Sequence, residues 1–254
     1  MFDVLMNGVG DAFSVKHWGT HFLVQKDDFL LAVDCPDSFR RALADNAFEH
    51  KGERLDAQHI DAMILTHLHG DHVNGLEMTL CYRRFSGAGQ THLYSTREVF
   101  EDLWSKRLSP SLGVLWDGET FWPQEAQGFY TSHEIRWDVP VQIGPFEVQT
   151  RPTQHHIPAM AMKITDGDAT LGYSCDTAYD EDLIDWLAPC DFIIHESSLG
   201  PAHTPIEKLC ALPEAVRQKM IVAHYPDALL DDPPEQVRLA QEGRVYKVQR
   251  SIAG

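Results

Sequence analysis

Basic residues are scarce in this chain: 21 Lys and Arg stand against 38 Asp and Glu among 254 residues, a formal net charge of −17 with histidine neutral. Phosphate backbones are gripped mainly through Lys and Arg, so extended contact with nucleic acid is disfavoured. Long apolar runs are also missing; none approaches the roughly 20 residues that cross a bilayer, which speaks against a membrane span. The segment from Met1 to Phe13 lacks the basic flank and apolar stretch of an export signal, so a cytoplasmic protein is expected. The five cysteines, Cys35, Cys81, Cys175, Cys190 and Cys210, are far apart, odd in number and without a C-x-x-C pair. That argues against a disulfide framework or a cysteine zinc knuckle and leaves reduced thiols. Apolar residues make up 43%, enough for a buried core and too much for a disordered chain. One large domain over 1–254 fits this length better than two.

Short β-branched runs alternate with helix-like stretches. Phe2 to Met6, Phe22 to Gln25 and Phe29 to Val33 read as a β meander, with Asp27-Asp28 as a hairpin turn. A helix over Asp37 to Phe48 and a buried strand over Ala62 to Thr66 follow. A helix to Arg84, a strand at His92 to Ser95 and a helix from Thr96 to about Lys106 complete a first half. The second half opens at Pro140 to Thr150. Strands at Ala159 to Ile164, Thr170 to Ser174, Phe192 to His195 and Met220 to Ala223 are expected, with helices near Asp180 to Leu187, Glu214 to Lys219 and Pro233 to Glu242. Val245 to Val248 reads as a last strand. Frequent hairpins favour a mixed α/β (α+β) sheet system over a purely parallel one. The aromatic-rich stretch 104–137 is the least regular; it reads either as a substrate or homodimer loop or as a connection pinned to the core.

The chemistry is concentrated in histidine. His67, His69, Asp71 and His72 fall within six positions directly after an apolar strand, in T-H-L-H-G-D-H. Alternate residues at a strand end point the same way, which aims His67 and His69 together, and a turn at Gly70 lets Asp71 and His72 face a second centre. The motif therefore proposes two adjacent metals, since inert histidines rarely cluster so. It resembles the H-x-H-x-D-H signature of the metallo-β-lactamase fold superfamily. His155 in Q-H-H-I-P, preferred over His156, resembles the third-motif histidine. Asp176 in Y-S-C-D-T resembles the bridging carboxylate, and His224 in I-V-A-H-Y the last histidine.

The resemblance implies a four-layer αββα sandwich of two mixed β-sheets flanked by helices, with one metal on His67, His69 and His155. A second metal falls to Asp71, His72 and His224, and Asp176 bridges both. Zinc is the default for imidazole and carboxylate ligands, with manganese or iron also compatible. F-I-I-H-E-S-S and His203 in P-A-H-T-P resemble segments of the ribonuclease Z and cyclic phosphodiesterase branch, where Glu196 and His203 match functional positions. The implied reaction is hydrolysis of a small cyclic or linear phosphodiester by a metal-bridging hydroxide. Asp71 orients the water, and His203, held by Glu196, protonates the leaving oxygen. A glyoxalase II-like hydrolase of thioesters or lactones, a tRNA 3′ processing endonuclease and a non-enzymatic metal protein are the alternatives. No Gly- and Pro-rich basic arm for tRNA is visible; Arg83-Arg84 and Lys106-Arg107 read as solvated helix faces. Trp18, in the loop Asn7 to Gly19, is a candidate for stacking on a substrate ring.

Overall fold

The computed structural model describes residues 1–250. Two seven-stranded mixed sheets lie face to face. The first runs, in spatial order, Tyr130–Ile135, Thr91–Thr96, Ala62–Ile64, Phe29–Val33, His21–Lys26, Phe2–Gly8 and Val245–Val248. The second runs Val141–Ile143, Phe146–Pro152, Met160–Thr165, Thr170–Tyr173, Phe192–Glu196, Met220–Ala223 and Arg238–Leu239. Both halves follow one plan. An antiparallel meander joined by tight turns, Asp27-Asp28 in the first and Asp166-Gly167-Asp168 in the second, leads into parallel strands separated by helices.

Period-two burial splits each strand between two cores. Val4, Met6, Phe22, Val24 and Val33 face Phe146, Val148, Met162, Ile164 and Tyr173 across the inter-sheet layer. The alternate residues Leu5, Leu23, Leu30, Ala32 and Met63 pack outward under the helices Phe39–Asn46 and Leu76–Phe85. On the opposite face Ile193, Met220 and Val222 lie under the helix Glu181–Leu187, which Asp180 caps through the amides of Asp182 and Leu183. The result is the four-layer αββα sandwich. Among the described residues no helix is long and apolar enough to cross a membrane.

Three local expectations are corrected. Pro233 to Glu242 is not a helix: only Ala228–Asp231 is helical, and Arg238–Leu239 joins the sheet edge beside Met220–Ala223. Val237 packs in the core under the helices and Ala240 in the core between the sheets, on the opposite faces that a strand gives residues three apart, which outweighs the N-terminal Pro-Pro-Glu signal. The stretch 104–137 divides. Phe129 and Tyr130 are buried and lead into a strand of the first sheet, while the hairpin of Val114–Trp116 and Phe121–Pro123 carries exposed Trp116, Phe121 and Trp122. Arg83 is no solvated face; it is buried and donates to the carbonyls of Ala57 and Ile60.

Candidate metal centre

Parallel strands in an open sheet deliver their C-terminal ends to one side, and connections leaving that side converge. Here His67 and His69 follow Ala62–Ile64, Asp176 follows Thr170–Tyr173, Glu196 ends Phe192–Glu196 and His224 follows Met220–Ala223. His155 comes from the loop after Phe146–Pro152. Three non-glycine residues of this rim, Asp34, Cys175 and His224, adopt left-handed backbone angles with φ of 63°, 53° and 52°. Such angles are costly for side-chain-bearing residues and gather where a site dictates the backbone.

The seven sequence-selected residues meet in two overlapping groups, His67, His69, His155 and Asp176, and Asp71, His72, Asp176 and His224, with candidate donor atoms within 4.8 Å in each. In the first, Nδ1 of His69 lies 3.2 Å from Nε2 of His67 and 2.9 Å from Nε2 of His155. Oδ2 of Asp176 is 3.7 Å from both of those Nε2 atoms. In the second, Nε2 of His224 is 3.0 Å from Oδ2 of Asp71, and Nε2 of His72 is 3.4 Å from both Asp71 and Asp176. The single carboxylate of Asp176 therefore serves both groups. The separation of the motif comes from a short helix, Gly70–Val73, that begins directly after His69 and carries Asp71 and His72 away from the first group. The turn expected at Gly70 has no left-handed backbone angle, and a Cβ there would meet only the end of the Asn74 side chain, 2.7 Å from Nδ2.

The electrostatics of the two groups differ. Burial pushes the pKa of His67 far below 6.5, lowers His69 and takes His155 to about 4, so these imidazoles are neutral with lone pairs available. In the second group burial is opposed and outweighed. Asp176 and Asp34 hold His72 well above its ordinary value, and Asp176 with Asp71 holds His224 up at about 9. Asp176 is itself held low by His224 and His72 against the effect of burial. A divalent ion would take the place of the protons that these carboxylates favour on His72 and His224. Buried Nε2 of His72 and Oδ1 of Asp176, 3.4 Å apart, lack hydrogen-bond partners. Such orphaned atoms are costly unless something coordinates them, and this nitrogen-rich donor set fits two divalent metals.

Surrounding groups fix the ligands. Asp34 accepts Nδ1–H of His72 at 2.8 Å and also the amide and hydroxyl of Thr66. Nδ1 of His155 donates to the Ala202 carbonyl at 3.1 Å. Motif reading missed Asp34, although an acid directly after an apolar strand is the signal that selected Asp176. His195 stands outside both groups, its Nδ1 donating to the Glu196 carbonyl at 2.8 Å.

Glu196 and His203 lie beside the second group. Glu196 is fully buried, and its Oε1 accepts the amides of Thr177 and Thr204 at 3.1 and 3.0 Å and lies 3.4 Å from Nδ1 of His203. The His203 ring stacks on that of His224 with centroids 5.5 Å apart. Burial raises the Glu196 pKa and His203 works against that rise. A cavity of about 890 Å³ opens beyond Asp71 and includes Trp18, Arg40 and Arg41 in its walls.

Comparison with known proteins follows the same lines. The sequence profile of the Anti-Pycsar protein Apyc1 family matches residues 2–246. The Anti-Pycsar protein Apyc1 of Paenibacillus sp. (strain J14) is 29% identical over 231 residues, covering 87% of this chain and 88% of the relative. In structure, the metallo-β-lactamase fold protein YhfI of Bacillus subtilis is similar with a TM-score of 0.73 at 21% identity, covering 96% of this chain and 98% of its own. Human tRNase Z, short form, is similar with a TM-score of 0.70 at 18% identity, covering 98% and 100%. The metallo-β-lactamase fold is thus established, and with the donor groups it supports a metal-dependent hydrolase.

Proposed function

The chain belongs to the Anti-Pycsar protein Apyc1 family, and from that premise we propose that it is a phosphodiesterase acting on a small cyclic phosphodiester of the cyclic nucleotide type. The observation that carries this reading is the Glu196–His203 pair set against the second donor group. Ester cleavage at phosphorus expels an alkoxide, which needs a proton; opening of a thioester gives the pair no obvious task. The net charge of −17 favours a small substrate over an extended polynucleotide.

His67, His69, His155 and Asp176 would hold one ion and Asp71, His72, Asp176 and His224 the other. Zinc is the leading choice for this donor set, with manganese or iron compatible. Ions held there would supply Lewis acidity, lowering the pKa of bound water from 15.7 toward about 7 and offsetting charge on phosphoryl oxygens. The residues of the chain do the rest. Asp71, partly buried at the cavity edge, accepts a hydrogen bond from the attacking water and orients it. Oε1 of Glu196, anchored by two amides, faces Nδ1 of His203 and leaves Nε2 as the atom that donates to the leaving oxygen. The new P–O bond forms from water as the ester P–O bond breaks, so a cyclic substrate yields a phosphomonoester.

The test is turnover of a cyclic nucleotide and bis(p-nitrophenyl) phosphate against a thioester and a lactone. Phosphodiester hydrolysis is expected to dominate, and His203→Ala should lower kcat by roughly 10²–10⁴-fold. Preferred cleavage of the carboxylic esters, with His203→Ala harmless, would overturn the reading.

A further inference from the structure

A second cavity, of about 460 Å³, opens on His69, with a lining distinct from that of the cavity at Asp71. Leu68, between the ligand candidates His67 and His69, and Ile157 and Pro158, just after His155, line it together with Val99. It therefore reaches the first donor group through His69, and beside the apolar patch of Leu68, Val99, Ile157 and Pro158 its lining carries Glu98, Glu101, Asp102, Lys106 and Arg107. Its volume lies in the range of small-molecule sites.

The two basic residues of its lining differ in their partners. Lys106 reaches Asp102 at 2.8 Å and Arg97 reaches Glu101 at 2.8 Å. Arg107 meets no carboxylate among the described residues; its only hydrogen bond runs to the neutral Oδ1 of Asn74, at 3.2 Å. Both Lys106 and Arg107 sit on Leu103–Leu108, a stretch of π-helix interrupting the helix that follows Thr91–Thr96. Such wide turns are rare and occur often at functional sites. Here the wide turn sits in the stretch that brings Arg107 to the cavity and to Asn74, just after the short helix bearing Asp71 and His72.

We propose that this cavity receives the ring of a nucleotide substrate and that Arg107 recognises its acceptor-bearing edge. The guanidinium offers donors in a fixed fork that matches paired acceptors on a base, and the apolar patch of Leu68, Val99, Ile157 and Pro158 suits one face of a planar ring. The proposal rests on the phosphodiesterase reading for its substrate but places the base by this chain's own residues. Lys106 and Arg107 are both exposed, as the sequence reading of this pair expected, and of the two only Arg107 has no carboxylate partner among the described residues.

The experiment compares a cyclic nucleotide with its abasic sugar counterpart on the metal-loaded enzyme. Arg107→Ala should lower kcat/KM on the nucleotide by roughly 10–100-fold, mainly through KM, and leave the abasic compound within about threefold. Arg107→Lys should recover part of the loss, and metal content should stay at the wild-type value. Equal effects on both substrates, no effect on either, or a nucleotide-specific loss in Trp18→Ala or Arg41→Ala instead would overturn the proposal. Binding of a nucleoside monophosphate, measured by calorimetry, separates the two ideas. If no phosphodiester is hydrolysed but Arg107→Ala weakens this binding about tenfold, the subsite stands and the reaction assignment falls. Binding indifferent to Arg107, or absent, removes the subsite.

Discussion

His21 is a buried imidazole with no part in the metal groups. Its Nδ1–H donates to the Gly19 carbonyl at 2.8 Å, and its Nε2 accepts from the Asn7 side-chain amide. The ring leans on Phe39. Both nitrogens are satisfied in the neutral form, and a proton on Nε2 would confront the Asn7 donor. Burial accordingly lowers its pKa to about 4. The unfolded chain takes up this proton near 6.5 while the folded chain resists it until about 4, so stability falls as pH drops through that window. The slope is about 1.4 kcal/mol per pH unit for one proton. Urea unfolding of metal-loaded protein should show a decline between pH 6.5 and 4 that is one proton shallower in His21→Gln. Equal slopes in the two proteins would show that His21 is protonated as easily folded as unfolded.

At the scale of elements, close approach matters as much as periodicity. Gly75 opens the helix Leu76–Phe85, and a Cβ there would lie 1.9 Å from the Pro36 carbonyl oxygen. Its own amide donates to the Cys35 carbonyl at 2.9 Å, so the loop after Asp34 and the end of the motif helix are locked together. Gly75→Ala must push backbone away and should cost at least about 1–3 kcal/mol, read as a lower denaturation midpoint. An unchanged midpoint would mean the loop moves freely. Nothing in the sequence announces this contact. What was legible had a local cause: the meander strands follow apolar alternation, and Asp180 with Glu181 and Asp182 marks a helix start. The π-helical turn at Leu103–Leu108 was not legible, because its apolar residues keep a helical spacing and the widening is set by contacts elsewhere. The strand Tyr130–Ile135 was hidden because its pairing with Thr91–Thr96 is non-local.

The whole molecule brings the site together from two halves that share a plan without sharing recognisable sequence. His67, His69, Asp71 and His72 were legible because they sit close in sequence. His155, Asp176 and His224 could be matched only through ordered motifs, since single residues after strands carry little signal alone. Their convergence depends on both sheets presenting strand ends to one rim, and a cation on Asp176 would tie the first half to the second. In its absence, the rim buries Asp176 and His72 with atoms left unpaired. Ions that bind only the folded state add stability by mass action, about 2.7 kcal/mol at a hundredfold excess over Kd. For a chain of this size each kcal/mol moves Tm by roughly 2–4 °C, so complete chelation should lower Tm by about 5–10 °C. Asp176→Asn, which removes the shared carboxylate charge, should lose most of that metal-dependent increment. Calorimetric scans of metal-loaded and chelator-stripped protein, each with its metal content measured, decide the matter. A stripped protein that melts where the loaded one does would mean that the two halves hold the rim in shape without ions, and that any metal there serves chemistry alone.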